Sequence, residues 1–162
     1  MESAFAVRFV GNPYSGELVK GHCIAIAEMG LVPYEGKAVR DPGLFGGDWS
    51  RERRERHVLA RLAFLFALFS LLARRRLVLF RGFSTEGTAE PPRNDTFVSA
   101  TFCEDVARSH FEGGSERSTR ALFRRPVPIR RIFMTYLETE AMNRSFREAE
   151  AVLLYEGGAT PF

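Results

Sequence analysis

The sequence is poor in the residues that build disulfide frameworks and metal sites. It has two cysteines, Cys23 and Cys103, which lie far apart, and its three histidines are scattered. Neither a disulfide framework nor a zinc site is therefore indicated, and we expect no bound metal. A protease that pairs Cys103 with His110 is an alternative, but both residues fall in one predicted helix, where packing is their expected role.

Long apolar runs are also missing. The longest helix candidate covers residues 48–76, and its apolar stretch, residues 62–73, is shorter than the roughly 20 residues that cross a bilayer. Its apolar character all round favours a buried core helix. A helix at a membrane surface is the alternative, because aromatic and leucine side chains next to arginines also suit an interface.

The first residues lack a basic segment followed by an apolar stretch, which is the pattern of a secretory signal. We therefore expect a cytoplasmic protein, or an effector that reaches a host cell by a route without such a signal. No internal repeat is visible, and no receptor-binding or translocation domain fits in this length.

Lysine is scarce, since only Lys20 and Lys37 stand among 23 basic residues and the others are arginines. A net charge of +3 and a pI near 9.2 would ordinarily suggest nucleic acid as a partner. The arginines are interleaved with acids, as in residues 51–56, so we expect no nucleic-acid partner. An arginine-rich nucleic-acid binder stays as a third hypothesis, and it predicts an affinity that falls steeply with salt.

The length fits one compact domain over residues 1–162, because a chain of this size can bury a single core. Turn signals rich in glycine and proline fill residues 1–50, so the part up to residue 73 is expected to be loops, one short helix at 22–29 and the long helix. Residues 74–156 carry the motifs. Strands and helices do not alternate regularly, which favours an α+β fold.

Three predicted strands in this second part carry polar side chains. Residues 77–83 form an apolar strand with Arg81 and Gly82 near its end, and residues 97–102 form a strand with Ser99 and Thr101. The third strand contains Glu148 and Glu150. Because side chains alternate along a strand, these two carboxylates are expected on the same side, about 7 Å apart.

The segments between these motifs have their own signals. A helix is predicted for residues 103–111, with Thr101 and Glu104 as its capping box. Residues 84–96 and 112–119 read as polar loops. A further strand is predicted for residues 127–135, and residues 136–147 are polar and turn-like.

In this order, the motifs resemble the mono-ADP-ribosyltransferases of the arginine-serine-glutamate type, which include bacterial toxins and effectors. The resemblance covers about residues 74–156. It implies two packed, mostly antiparallel sheets around an NAD⁺ cleft, with helices on the outside. It also implies that the loop before the Glu-x-Glu pair recognises the substrate.

The resemblance assigns a role to each motif residue. Glu150, favoured as the catalytic glutamate, would stabilise the positive charge that develops on the ribose as nicotinamide leaves, and Glu148 would orient or deprotonate the nucleophile. Arg81 would hold NAD⁺ through its phosphates or ribose. The other roles are supporting ones, in which Gly82 admits the carboxamide and Ser99 orients Glu150, with Thr101 a weaker candidate for the same task.

The expected activity is transfer of ADP-ribose from NAD⁺ to a side chain of a protein substrate, with arginine favoured as the acceptor. Serine, threonine and a nucleic-acid end stay open, and water as acceptor would make the protein an NAD glycohydrolase. A second hypothesis is a non-catalytic domain of the same fold that binds NAD⁺ or a protein. It rests on Ala100, which stands where the family's motif usually has a hydroxyl, and on the short interval between Arg81 and Ser99.

Overall fold

The computed structural model describes residues 1–11, 16–36, 42–86, 96–112 and 118–155. The expected α+β class is confirmed. The helices are α1 (Glu2–Gly11), α2 (Glu17–Glu28), α3 (Arg51–Leu71) and α4 (Glu104–Glu112). The strands are β1 (Arg76–Glu86), β2 (Phe97–Thr101), β3 (Ser118–Pro128), β4 (Ile132–Thr135) and β5 (Glu150–Leu154). Four short 3₁₀ turns cover Pro42–Phe45, Gly47–Trp49, Ile129–Arg131 and Glu140–Asn143.

The described strands form one antiparallel sheet in the order β3-β1-β2-β5-β4. β1 and β3 pair along their whole length, whereas β1 and β2 are in register at the single pair Phe80 and Thr101. Because this pair joins the β1–β3 ribbon to the other strands, the expected two packed sheets are replaced by a single five-stranded sheet in the described residues.

The strand predictions need two corrections around β3. Residues 118 and 119 were expected in a polar loop and no strand was predicted for residues 120–126, but all of them pair with β1. The strand predicted for residues 127–135 is interrupted by the 3₁₀ turn Ile129–Arg131. β3 is an edge strand, which tolerates its exposed arginines and Pro126, a residue that a central strand would exclude. A prediction based on alternating apolar residues therefore missed β3, because an edge strand can be largely polar.

The N-terminal part is more helical than expected. Residues 1–50 were predicted to be mostly loops, yet α1 and α2 occupy much of this region. The buried residues of α1 are Phe5, Ala6 and Phe9, which share one face at helical spacing. Glycine and proline residues between α1 and α2 and after α2 led to the prediction of loops in this region.

α3 confirms the long helix, which Ser50 caps by accepting a hydrogen bond from the backbone N–H of Arg53. Its expected burial is only half right. One face is buried, but several apolar side chains on the opposite face are exposed, including Phe64, Phe66 and Leu71. Among the described residues, no helix is long and apolar enough to cross a membrane.

Two apolar clusters cover the two faces of the central strands. The first contains Phe5 and Phe9 of α1 against Phe97 and Val152 of the sheet. The second packs the C-terminal half of α3 against the alternate residues of β2 and β5, among them Ala100. The end of β5 that begins at Glu150 lies beyond the first cluster, where a pocket takes its place.

A buried ionic network ties the N-terminus to the turn between β4 and β5. Arg61 of α3 is buried, bonds the Glu138 carboxylate and lies 3.1 Å from that of Glu2. Glu138 also accepts a 2.8 Å hydrogen bond from the backbone N–H of Thr135, and the Thr139 hydroxyl donates to Glu2 at 2.9 Å. Each buried charge is thus paired, which fixes α1, α3 and this turn relative to one another.

Candidate active site

Glu150 is a buried carboxylate at the first position of β5, with 6% of its surface exposed. Thr101 lies opposite it on β2, and Ser99 is its diagonal neighbour on the same face. The Ser99 hydroxyl donates a 2.5 Å hydrogen bond to Glu150 Oε1. The geometry expected for Ser99 is therefore present, since the serine holds the carboxylate from the adjacent strand.

The surroundings of Glu150 make its ionisation costly. The pKa of this carboxyl is raised to about 7, mainly by burial and to a smaller extent by the nearby charge of Glu148. The hydrogen bond from Ser99 acts in the opposite direction, because it favours the charged form. Burial therefore sets the direction of the shift, and Ser99 and Glu148 modify it in opposite directions.

Glu148 reaches the same pocket by a different route from the expected one. β5 begins at Glu150, so Glu148 is outside the strand, and the alternation argument for a shared face does not apply. Instead, Ala149 has a left-handed backbone with φ +47°, an uncommon conformation for a residue with a side chain. This turn brings both carboxylates to the wall of one cavity.

Thr101 supports this turn and not the Glu150 side chain. Its hydroxyl donates a 2.6 Å hydrogen bond to the backbone carbonyl of Glu148 and accepts one from the N–H of Cys103 at 3.0 Å. The expected role of orienting Glu150 is therefore corrected. The predicted helix after β2 is confirmed as α4, but the hydroxyl of Thr101 contacts the residue two positions ahead, so a capping box with Glu104 does not form.

Arg81 and Gly82 complete the wall of the cavity opposite the glutamates. Arg81 donates a 3.0 Å hydrogen bond from its guanidinium to the carbonyl of Ser99, which links the guanidinium to the strand that holds Glu150. The cavity has a volume of about 310 Å³ and includes all six motif residues in its lining. The structure thus brings together every site residue that the sequence predicts.

Ala100 contributes no side chain to this arrangement. It is buried in the second apolar cluster, on the opposite face of β2 from Ser99 and Thr101. A hydroxyl at this position would point into the core and away from Glu150. The missing hydroxyl is therefore no obstacle to the contacts that the pocket makes.

Several lining residues have no signal in the sequence. Val10 of α1 and His110 of α4 line the cavity, together with Phe80 and Phe83 of β1. His110 is exposed at the end of α4, about 10 Å along the helix axis from Cys103, which is too far for a catalytic pair. Only the packing of α1 and α4 around the sheet reveals Val10 and His110 as lining residues, whereas Phe80 and Phe83 directly flank Arg81 and Gly82 in β1.

The charged side chains that line the pocket are one guanidinium and two carboxylates, those of Arg81, Glu148 and Glu150. Among the described residues, no group of three or more histidine, cysteine, aspartate or glutamate side chains could hold a metal ion. Arg81 can bind phosphate or hydroxyl oxygens, and the two carboxylates can bind a positively charged group.

No family model matches the sequence, and no curated protein or solved structure matches it either.

Proposed function

We propose that the pocket binds NAD⁺ and transfers its ADP-ribose to a side chain of a protein substrate, with release of nicotinamide. The observation that carries the proposal is the buried Glu150, held by Ser99 in a cavity that also contains Glu148 and Arg81. Buried carboxylates with strongly shifted pKa values are concentrated at functional sites, because their burial costs stability.

The reaction breaks the bond between the ribose anomeric carbon and the nicotinamide nitrogen. Its electron pair leaves with the nicotinamide, which becomes neutral, and positive charge develops on the ribose. In this reading, the Glu150 carboxylate stabilises that charge from a site of low dielectric. The acceptor nitrogen then bonds to the anomeric carbon, and Glu148 takes its proton.

The residues of the cavity fit this substrate. A cavity of about 310 Å³ is at the small end for ligand pockets and suits the nicotinamide half of the dinucleotide. Arg81 is in position to bond phosphate or ribose oxygens, and Gly82 leaves space for a planar amide beside the backbone. Glu150 lines the cavity although its side chain is almost completely buried.

An arginine acceptor is favoured by the second carboxylate. The guanidinium of an acceptor arginine is positively charged, so Glu148 would form an ion pair with it and then accept the proton that its nitrogen loses on transfer. Glu148 sits on a turn that Thr101 and Asn143 fix by hydrogen bonds to its carbonyl and to the next N–H. This fixed position suits a residue that orients an incoming nucleophile.

The proposal is tested with purified protein, NAD⁺ and cell lysate, by measuring nicotinamide release and labelled ADP-ribose on proteins. Agmatine, a small guanidino compound, serves as a defined acceptor in a parallel reaction. Glu150→Gln is expected to abolish both signals, with a loss of at least about a hundredfold. Glu140→Gln is the matched control, because Glu140 is an exposed glutamate outside the pocket.

Each outcome has a defined meaning. Labelling that requires Glu150 supports the transferase, and labelled agmatine supports an arginine acceptor. Nicotinamide release without labelling of either acceptor would replace the transferase by an NAD glycohydrolase. No release from folded protein, together with no heat of NAD⁺ binding in calorimetry, would overturn the proposal.

A further inference from the structure

The outer face of α3 is uncharged over its C-terminal half. Residues 62–73 contain no charged side chain, although only one side of this segment packs on the sheet. Leu71 is 86% exposed and Phe66 is 53% exposed. We name this surface the apolar face, and it consists of Ala63, Phe64, Phe66, Ala67, Leu71 and Leu72. Soluble monomers rarely expose a contiguous apolar patch of this kind without using it.

Arginines stand at one end of the apolar face. Arg74, Arg75 and Arg76 lie between the end of α3 and the start of β1, and all three are exposed. Arg130 reaches the same place from the turn before β4. These residues, except Arg76, line a groove of about 680 Å³ next to Phe66. The basic end therefore adjoins the apolar face directly.

The charge around this surface is predominantly positive. Residues 57–85 contain five arginines and no aspartate or glutamate, and the same holds for residues 118–137. These two segments form β3, β4, β1 up to Thr85 and most of α3, which are neighbours in the fold. One of the ten arginines, Arg61, is buried and paired with Glu2 and Glu138, so the other nine supply the positive charge of this region. The modest net charge of the chain therefore conceals a strongly positive region, which attracts anionic partners.

We propose that the apolar face and its arginine end bind the surface of an anionic lipid bilayer. Apolar side chains on one helix face enter the boundary between headgroups and acyl chains, while basic side chains bind anionic headgroups. Arginine suits the second task because its guanidinium forms forked bonds with phosphate. Nucleic acid would satisfy the arginines but would leave the apolar face in water, so a bilayer matches both halves of the surface.

Docking in this way leaves the candidate active site accessible. The pocket lies on the face of the sheet that carries Ser99 and Glu150, whereas the C-terminal half of α3 packs on the opposite face, which carries Ala100. Interfacial helices insert only about 5–10 Å into the bilayer boundary. The proposal does not depend on the function proposed for the pocket, because binding is measured without NAD⁺.

The test is flotation of the purified chain with phosphatidylcholine vesicles, with and without phosphatidylserine. We expect binding to the anionic vesicles that weakens as salt is raised. The double variant Leu71→Glu/Leu72→Glu is expected to lower the partition coefficient at least about tenfold, because it puts charge on the apolar face. Arg74→Glu/Arg75→Glu should lower it by a similar factor, since each basic side chain contributes about fivefold at an anionic surface.

Two variants elsewhere serve as controls. Leu31→Glu changes an exposed leucine, and Arg8→Glu changes an exposed arginine of α1, both outside the proposed surface. Both should bind vesicles like the parent protein, and all variants should keep the parent's unfolding midpoint within a few degrees.

Four results would overturn the proposal. These are absence of binding to anionic vesicles, equal binding to neutral vesicles, equal loss in the control variants, and a dimer in sedimentation that Leu71→Glu dissociates. The last result would assign the apolar face to a second copy of the chain. Binding to single-stranded nucleic acid without binding to vesicles would also overturn the proposal, because it would show that the arginines bind nucleic acid.

Discussion

At the residue scale, Glu150 determines what the pocket can do, and its environment predicts how activity depends on pH. If the ionised carboxylate stabilises the transition state, kcat/KM for nicotinamide release should fall as pH drops below about 7, the pKa of this group in the free protein. The hydrogen bond from Ser99 lowers this pKa, and the charge of Glu148 raises it.

Two variants should therefore shift the acid limb, the pH range in which kcat/KM falls as Glu150 becomes protonated, in opposite directions. Ser99→Ala removes the bond that favours the charged form, so the pKa and the acid limb should move to higher pH. Glu148→Gln removes a like charge, so both should move to lower pH. Profiles of kcat/KM against pH check the pair, with Glu140→Gln as control. Shifts in the same direction, or none, would show that Glu150 is not the titrating group.

A second prediction at the residue scale concerns Ala149, whose left-handed backbone places Glu148 in the pocket wall. Ala149→Val should destabilise the protein by about 1–2 kcal/mol, since a β-branched side chain fits this conformation poorly. Ala149→Gly should lie within about 1 kcal/mol of the parent, because relief of strain and loss of backbone entropy oppose each other. Urea unfolding measures both. A valine variant as stable as the parent would mean that the turn relaxes without cost.

At the scale of elements, Arg61 connects α3 to α1 and to the turn before β5. Arg61→Met should destabilise the fold by about 3–5 kcal/mol, because it leaves the Glu138 carboxylate, whose side chain is 9% exposed, without its main partner. Adding Glu138→Gln should recover part of this loss. The matched control is Arg56→Met, which breaks an exposed pair with Glu52 and should cost less than about 1 kcal/mol. Equal losses in the two single variants would contradict this account.

At the scale of the whole molecule, a buried cluster between α2 and α3 links stability to pH. Arg54 donates a 2.8 Å hydrogen bond to His22 Nδ1, so the His22 proton is on Nε2, which donates to His57 Nδ1 at 3.0 Å. Burial lowers the pKa of both histidines, that of His57 to about 4, and the positive charge of Arg54 lowers that of His22 further. Both histidines are therefore neutral in the folded protein at pH 7.

The free energy of unfolding should consequently fall as pH drops from about 6.5 towards 4. In this pH range the histidines bind protons in the unfolded state but stay neutral in the folded state, because folding lowers their pKa values. Glu150 acts with the opposite sign, because its raised pKa makes the folded protein the better proton binder between 4.5 and about 7. Urea unfolding at several pH values is therefore best measured in the Glu150→Gln background. His57→Gln should then reduce the slope, and an unchanged slope would exclude this histidine as its source.

Much of the candidate site could be predicted from the sequence, because its residues stand in short local patterns. The strands that carry Arg81 and Ser99 are apolar runs, and the helix that follows Ser99 has helical spacing. The pairing of Ser99 with Glu150 is different, since the two residues are 51 positions apart and only the register of β2 and β5 brings them together. The order of motifs pointed to this contact through resemblance and not through spacing.

The sequence alone was enough to predict the α+β class and the long helix, since both depend on local propensity and on side-chain periodicity, whereas the polar residues of the pocket were predicted from the resemblance of their order to a known family. The tertiary structure decided the rest. The left-handed turn at Ala149 places Glu148, the edge position of β3 explains an otherwise polar strand, and α1 closes the pocket wall with Val10. It also leaves one face of α3 exposed, because the helix packs on the sheet with its opposite face. Such features depend on contacts between distant segments, which a local pattern does not encode.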